Sequence, residues 1–220
     1  MLFCCQGSEA RPSFSLMAVP GLASVLPEHL AAHLDLGAGT VGAHPGTERF
    51  LSDLRGVFHD EVAYGEALAR GNPLVYRVVG VAPAEGDGQL HYGLGTLQAG
   101  KIGQEYFLTK GHLHAWRPAA EVYVGLRGDG RMILEEEATG RTRLVPLGAG
   151  DVVYVPGHTA HRTANVGSEP LVYLGIYPAA AGHDYAAIAE RNFRCCLVER
   201  EGQPVLVERA RLVRGAGGRP

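Results

Sequence analysis

The sequence predicts an all-β sandwich or barrel with a few short helices. Three observations carry the prediction. From residue 74 onward, short runs rich in Val, Tyr, Leu and Ile recur. Gly, Pro and Asp separate these runs, as tight turns between strands require. Glycine is 31 of 220 residues, about twice its usual ~7%, and shows no collagen-like period. Hydrophobic residues make up 46% of the chain and charged residues 20%, so the composition can bury a core.

The elements follow in order. Residues 1–47 carry Pro, Gly and Ala without a strand period and are expected to form an N-terminal extension. Within it, 26–34 predicts one short helix with Pro27 at its first position. The apolar stretch 13–26 makes a poor signal peptide, because Pro20 interrupts it and Arg11 is its only nearby positive charge. Met17 is a candidate for the true start. Residues 60–69 predict a second helix, stopped by Gly71-Asn72-Pro73. Strands are predicted at 74–81, 105–108, 121–126, 131–135, 142–146, 151–155, 171–177 and 205–208, and a further helix at 185–191. One domain, 48–210, therefore follows the extension, and 211–220 is expected to be a flexible C-terminal tail. No run of 18 apolar residues occurs, so no membrane-spanning helix is expected.

Charge narrows the function. The net charge of -3 offers no broad basic footprint, which argues against a nucleic-acid partner. Lys101 and Lys110 are the only lysines. The cysteines form two adjacent pairs, Cys4-Cys5 and Cys195-Cys196, without CxxC or zinc-finger spacing. They read as reduced thiols of a cytoplasmic protein.

The densest chemical signal is Thr109-Lys110-Gly111-His112-Leu113-His114, followed by Glu121-Val122-Tyr123. In an extended strand alternate side chains share a face, so His112 and His114 point together, as do Glu121 and Tyr123. Val122, Val124 and Leu126 are expected to point the other way, into a core. A second piece runs from Gly150 through Pro156 to His161 and Asn165. Three imidazoles and one carboxylate suit a first-row divalent metal with positions open for substrate. His29, His33, His44, His59 and His91 read as ordinary surface or core residues.

These two pieces resemble the paired motifs of the cupin superfamily, which implies a double-stranded β-helix, the jelly-roll barrel. Two departures mark this chain. Six residues separate His114 from Glu121 where three or four are usual, and His158 stands where the motif has Gly. The segments around 101–114, 120–124, 153–156, 160–163 and 176–185 closely resemble the cupin-type, archaeal-type phosphoglucose isomerases. Gly182-His183-Asp184-Tyr185 is the segment that generic cupins lack.

That resemblance implies a metal-dependent aldose–ketose isomerase acting on a small sugar phosphate, with one divalent metal per chain and a homodimeric assembly. Iron(II) is the expected ion; manganese, nickel, cobalt and zinc also fit such a ligand set. His112, His114, Glu121 and His161 match the family's metal ligands. Thr109, Gly111, Tyr177 and Tyr185 match its phosphate contacts, and Tyr76, Tyr123 and His183 its other pocket residues. Glu121, Tyr123 and His183 are the expected catalytic groups, with Glu121 the candidate base in a proton-transfer route; a direct hydride shift is the alternative. Where the family usually has a phosphate-holding Thr, this chain has Gly95, and Thr96, one place on, is expected to face the other side. The competing readings are another metallocupin enzyme and a non-catalytic sugar-binding cupin.

Overall fold

The computed structural model describes residues 25–212. Cys4 and Cys5, Met17, most of the apolar stretch 13–26 and most of the expected tail lie outside the described residues. In chain order the elements are α1 (Pro27–Leu30), β1 (Leu34–Asp35), β2 (Thr40–Val41), β3 (Thr47–Phe50), α2 (Glu61–Arg70), β4 (Leu74–Val81), β5 (Leu90–Leu97), β6 (Lys101–Ile102), β7 (Glu105–Tyr106), β8 (Glu121–Arg127), β9 (Gly130–Glu136), β10 (Thr142–Pro146), β11 (Val152–Val155), β12 (Thr159–Asn165), β13 (Leu171–Pro178), α3 (Ala186–Arg191), β14 (Cys195–Arg200) and β15 (Gln203–Glu208).

The strands form an antiparallel six-stranded sheet, ordered β11-β8-β13-β5-β4-β3, and a three-stranded sheet, β10-β9-β12. A four-stranded sheet, β15-β14-β7-β6, accompanies them. This is the all-β, cupin-type architecture with few helices. The main core includes Leu97, Leu108, Met132, Leu147, Val155, Leu171 and Tyr173, all buried. A second cluster lies on the outer face of the large sheet. There Val41 of β2 packs with Val79, Val81, Leu94 and Val172, flanked by Leu34 and Leu36. The β1–β2 hairpin is thus held by apolar burial as well as by its own pairing.

Most expected elements appear where the sequence places them. α2 starts at Asp60, whose carboxylate accepts from the Ala63 N–H at 2.9 Å, a side-chain N-cap. α1 is shorter than the expected 26–34. Ala31 is already extended, and Leu34–Asp35 pairs with Thr40–Val41 instead. A nine-residue helix is marginal alone, and the hairpin's tertiary burial wins.

Three long strands had no sequence signal. In β5 the residues Gly93 and Gly95 dilute the strand pattern. In β12 the inward positions are His161, Thr163 and Asn165, so a buried strand reads as polar. β14 begins with Cys195-Cys196, which are buried free thiols. Two details also differ from expectation. Val122 and Val124 are only half-buried and belong to the outer sheet face, not the main core. His112 and His114 sit in an extended segment fixed by isolated bridges, His112 to His161 and Leu113 to Asp184, and not in a regular strand.

Candidate active site

Backbone pairing assembles the histidines. His112 N–H donates to the His161 carbonyl at 3.1 Å, and His161 N–H returns a bond to His112 at 3.0 Å. The imidazoles of His112 and His161 consequently meet, with ring centroids 4.3 Å apart. Glu121 opens β8 on the same inner face. Its neighbour across the sheet is β13, where Gly175 is needed: a Cβ there would lie 2.7 Å from Glu121 Oε1. His112, His114, Glu121 and His161 are all buried, and one potential ligand atom from each lies within 4.8 Å of the others.

The protonation pattern suits a cation. His114 Nδ1 lies 3.0 Å from the Ala119 carbonyl, and His161 Nδ1 lies 3.1 Å from the Thr159 carbonyl. In a neutral ring each Nδ1 donates there, which leaves Nε2 as the lone-pair nitrogen free to ligate. Yet those two Nε2 atoms face Glu121 Oε2 at 3.2 and 3.0 Å. A carboxylate and two imidazole nitrogens converging in a buried space share a positive charge, which a ring proton or a cation between them supplies. His112 Nε2 is buried and has no hydrogen-bond partner among the described residues. Ligands bonded to one ion at ~2.0–2.2 Å sit about 3–3.5 Å from each other, so the residues fit a divalent metal.

The electrostatics agree. Burial opposes ionisation of Glu121, but hydrogen bonds with His114 and His161 outweigh it and hold the carboxyl at about 2. Burial, reinforced by His161, His183 and His114, pushes His112 well below 6.5, so it stays neutral. His114 is pulled down by burial, yet its bonds to Glu121 and Ala119 raise it overall. Burial, with the Glu121 charge beside it, keeps the Tyr123 phenol protonated.

A cavity of about 470 Å³ opens beside this cluster. Every expected pocket residue lines it: Tyr76, Thr109, Gly111, Tyr123, Tyr177, His183 and Tyr185. His183 stacks 5.7 Å from Tyr185 and packs 4.5 Å from His112. The loop carrying both is latched by Asp184, which accepts from Arg117 Nη2 at 2.7 Å and from the Ala187 N–H at 3.1 Å.

Five lining residues with polar side chains had escaped the sequence: Thr47, Arg49, Arg162, Thr163 and Tyr173. Thr163 and Tyr173 were within reach, since each lies an even number of places from a recognised neighbour, His161 or Tyr177, on one strand face. Arg49 was not, because β3 is only four residues long. Opposite Tyr76 in the ladder, Arg49 shares its inward face.

The two anomalies noted in the sequence also resolve. Thr96 does face away: its hydroxyl is buried and unpartnered among the described residues, against Gly39 of the hairpin. At Gly95 a Cβ would sit 2.6 Å from the phenol oxygen of Tyr173, so the ring occupies the space a side chain would use. His158, in the usual glycine position, adopts φ 57°.

Comparison with known proteins gives a consistent answer. The sequence model of the family described as glucose-6-phosphate isomerase (GPI) matches residues 48–212. The glucose-6-phosphate isomerase of Pyrococcus horikoshii is 43% identical over 184 residues, covering 84% of this chain and 97% of that protein. That of Thermococcus kodakarensis is 43% identical over 178 residues, covering 81% and 93%. A bacterial relative, the glucose-6-phosphate isomerase of Sinorhizobium medicae, is 39% identical over 165 residues, covering 74% and 77%. Among solved structures, Bacillus subtilis oxalate decarboxylase at pH 4.6 overlaps 50% of this chain and 26% of its own, with a TM-score of 0.40 and 24% identity.

Proposed function

The chain belongs to the glucose-6-phosphate isomerase family, and from that membership we propose that it interconverts glucose 6-phosphate and fructose 6-phosphate at the His112, His114, Glu121, His161 centre. The observation that carries this reading is one shared cavity. It holds a His3Glu cluster fitted to a divalent cation together with a set of hydroxyl and backbone donors. The competing non-catalytic reading assigns no role to a buried carboxylate in the cavity lining.

The donors suit a phosphate. Thr109, Tyr76, Tyr177 and Tyr185 offer hydroxyls and Gly111 a backbone N–H, the groups that phosphate oxygens accept from. Arg49 adds the positive charge that the chain's net charge of -3 withholds elsewhere. Holding the phosphate there orients C1 and C2 of the open-chain sugar toward the histidine cluster. Binding energy from this remote group is then spent on positioning.

Isomerisation moves hydrogen between C1 and C2. When bound, a divalent ion would supply Lewis-acid stabilisation of the negative charge that develops on the sugar oxygens. Glu121 divides its carboxylate between two tasks: Oε2 is held by both imidazoles, and Oε1 lies beside Gly175 in the cavity lining. We assign the transfer of the proton between the two carbons to Oε1. Tyr123, kept protonated, donates to a sugar oxygen. His183, kept neutral at the cavity mouth, exchanges protons with the sugar hydroxyls.

Iron(II) is the proposed ion, by resemblance; the N3O donor set would equally accept manganese, cobalt, nickel or zinc. A homodimer is supported by the outer sheet face, where Val152 and Tyr154 are 68% and 63% exposed. A place in glycolysis and gluconeogenesis is proposed from the reaction itself, and a cytoplasmic setting accords with the free buried thiols Cys195 and Cys196. No helix among the described residues is long and apolar enough to cross a membrane. A coupled assay for formation of glucose 6-phosphate from fructose 6-phosphate tests the proposal. Chelator-sensitive turnover is expected, and a metal-loaded protein that binds the sugar without converting it would support the non-catalytic reading.

A further inference from the structure

Arg162 is an unusual buried charge. It is 2% exposed, on β12 between His161 and Thr163. Those neighbours face the cavity, so its guanidinium lies on the opposite side of the strand. No carboxylate pairs with it within 4.0 Å among the described residues. Glu105 and Glu135 lie near enough to act on its charge, but neither forms an ion pair with it, and each has another partner. Glu135 pairs with Arg191 and accepts from the Arg194 N–H, and Glu105 accepts from the His59 N–H at 2.6 Å. What Arg162 has instead is the face of Phe193, 4.0 Å from its guanidinium carbon, and two neutral acceptors. Nη2 donates to the Lys110 carbonyl at 2.5 Å and to Asn192 Oδ1 at 3.2 Å, while Nε is buried without a partner. A buried unpaired cation is costly, and structures retain one where a counter-charge arrives.

The bond to Lys110 says where. In a trans peptide the carbonyl and the next N–H point in opposite directions. With the Lys110 carbonyl turned down onto Arg162, the Gly111 N–H is turned up toward the cavity. That N–H has no acceptor among the described residues, although Gly111 is buried. Gly111 itself is tied to this arrangement: it sits at φ 76°, and a Cβ there would lie 2.9 Å from Arg162 Cβ.

We propose that Arg162 is a positioning residue for the substrate's phosphate: its unpaired guanidinium, lodged beneath the Lys110–Gly111 peptide, aims the Gly111 N–H into the cavity and supplies the buried positive charge that a phosphate dianion completes. The inference rests on the phosphate reading of the Thr109–Gly111 loop given above. It adds an electrostatic source for the affinity, lodged beneath the loop that donates to the phosphate.

The test uses the full chain loaded with metal and two readouts. Calorimetric titration with inorganic phosphate needs no turnover, so it stands even if the isomerase reading falls. Steady-state kinetics with fructose 6-phosphate supply KM and kcat. Arg162→Gln should weaken inorganic phosphate binding and raise KM by about tenfold or more, with kcat held within about threefold, and Arg162→Lys should recover part of the loss. Asn192 gives a second route that leaves the arginine in place. Asn192→Asp sets a carboxylate against the guanidinium, whereas Asn192→Ala removes the same side-chain bonds without adding charge. Asn192→Asp should bind phosphate at least about fivefold more weakly than Asn192→Ala, because the charge is then paired internally. Should Arg162→Gln fail to fold, the Asn192 pair decides. Equal phosphate affinity in Asn192→Asp and Asn192→Ala, or an Arg162→Gln enzyme that loses kcat at unchanged KM, overturns the proposal.

Discussion

Gly95 and Tyr173 occupy one space. They are partners across β5 and β13, and a Cβ on Gly95 would lie 2.5 Å from Cε2 of the Tyr173 ring. The phenol therefore lines the cavity close to Thr163 and Tyr76, at the position where the family resemblance implies a phosphate-holding threonine. Gly95→Ala should overpack this contact and destabilise the fold by ~1–3 kcal/mol, read as a lowered Tm. Tyr173→Phe keeps the ring and removes only the hydroxyl. A KM for fructose 6-phosphate raised by about threefold to tenfold would show that the phenol replaces the missing threonine hydroxyl. An unchanged KM would leave the ring a packing group.

The phosphate subsite makes a broader prediction. Tyr177→Phe or Tyr185→Phe each removes one charge-assisted hydrogen bond of roughly 1.5–3 kcal/mol, so kcat/KM should fall about tenfold to a hundredfold. Free fructose should be a very poor substrate of the wild-type enzyme. Comparable kcat/KM for fructose and fructose 6-phosphate would place recognition elsewhere.

Glu121→Gln keeps the shape of the side chain and loses its charge and its basicity. With metal restored and verified, kcat should drop by at least ~10²-fold while KM changes little. Near wild-type turnover in a metal-loaded variant would support a hydride shift in place of proton transfer. Gly175→Ala offers an independent approach, because the added methyl would press on Glu121 Oε1 from the neighbouring strand.

The fold was legible wherever a strand has one apolar face and a turn at each end. β4 and β10 run over the residues the pattern indicates. It was illegible where function or close packing displaced the apolar residues. β12 devotes its inner face to His161 and Thr163 and buries Arg162 on the other side. β5 substitutes glycines so that the Tyr173 ring can approach. The metal cluster was legible because two histidines one residue apart, a following glutamate and a third histidine form a pattern. Arg49 and Arg162 carried no comparable signal. Only the folded chain shows that one faces the cavity and that the other is a charge without a partner.

His158 gives a stability test away from the chemistry. It holds φ 57° at a position exposed enough to tolerate change, with its side chain 62% accessible. The left-handed conformation costs a non-glycine residue roughly 1–2 kcal/mol, partly offset by the lower unfolded-state entropy of histidine. His158→Gly should therefore raise stability by up to ~1 kcal/mol, seen as a higher midpoint in urea, with kcat/KM unchanged. A lowered midpoint would mean that the contact of His158 with Glu137 at 3.8 Å outweighs the strain.

The pH dependence follows His183. Partial burial lowers its pKa from 6.5, so the imidazole is neutral throughout the neutral range and gains a proton only below that value. kcat should stay level above pH 6.5 and fall on the acid side at a pH below it. In His183→Gln the residual kcat should lose that acid limb. Persistence of the same limb in the variant would assign it to another group.

The His3Glu cluster, as a working metal centre, underlies all of the proposed chemistry. The direct measurement is to strip the protein with chelator, return iron(II) in fractional equivalents under anaerobic conditions, and follow conversion of fructose 6-phosphate to glucose 6-phosphate alongside bound metal. The account predicts no turnover in the stripped protein, activity rising in proportion to bound metal, and a plateau at about one equivalent per chain, with none of this restored in His112→Ala. Full turnover by the metal-free protein, or recovery in His112→Ala equal to wild type, would contradict it.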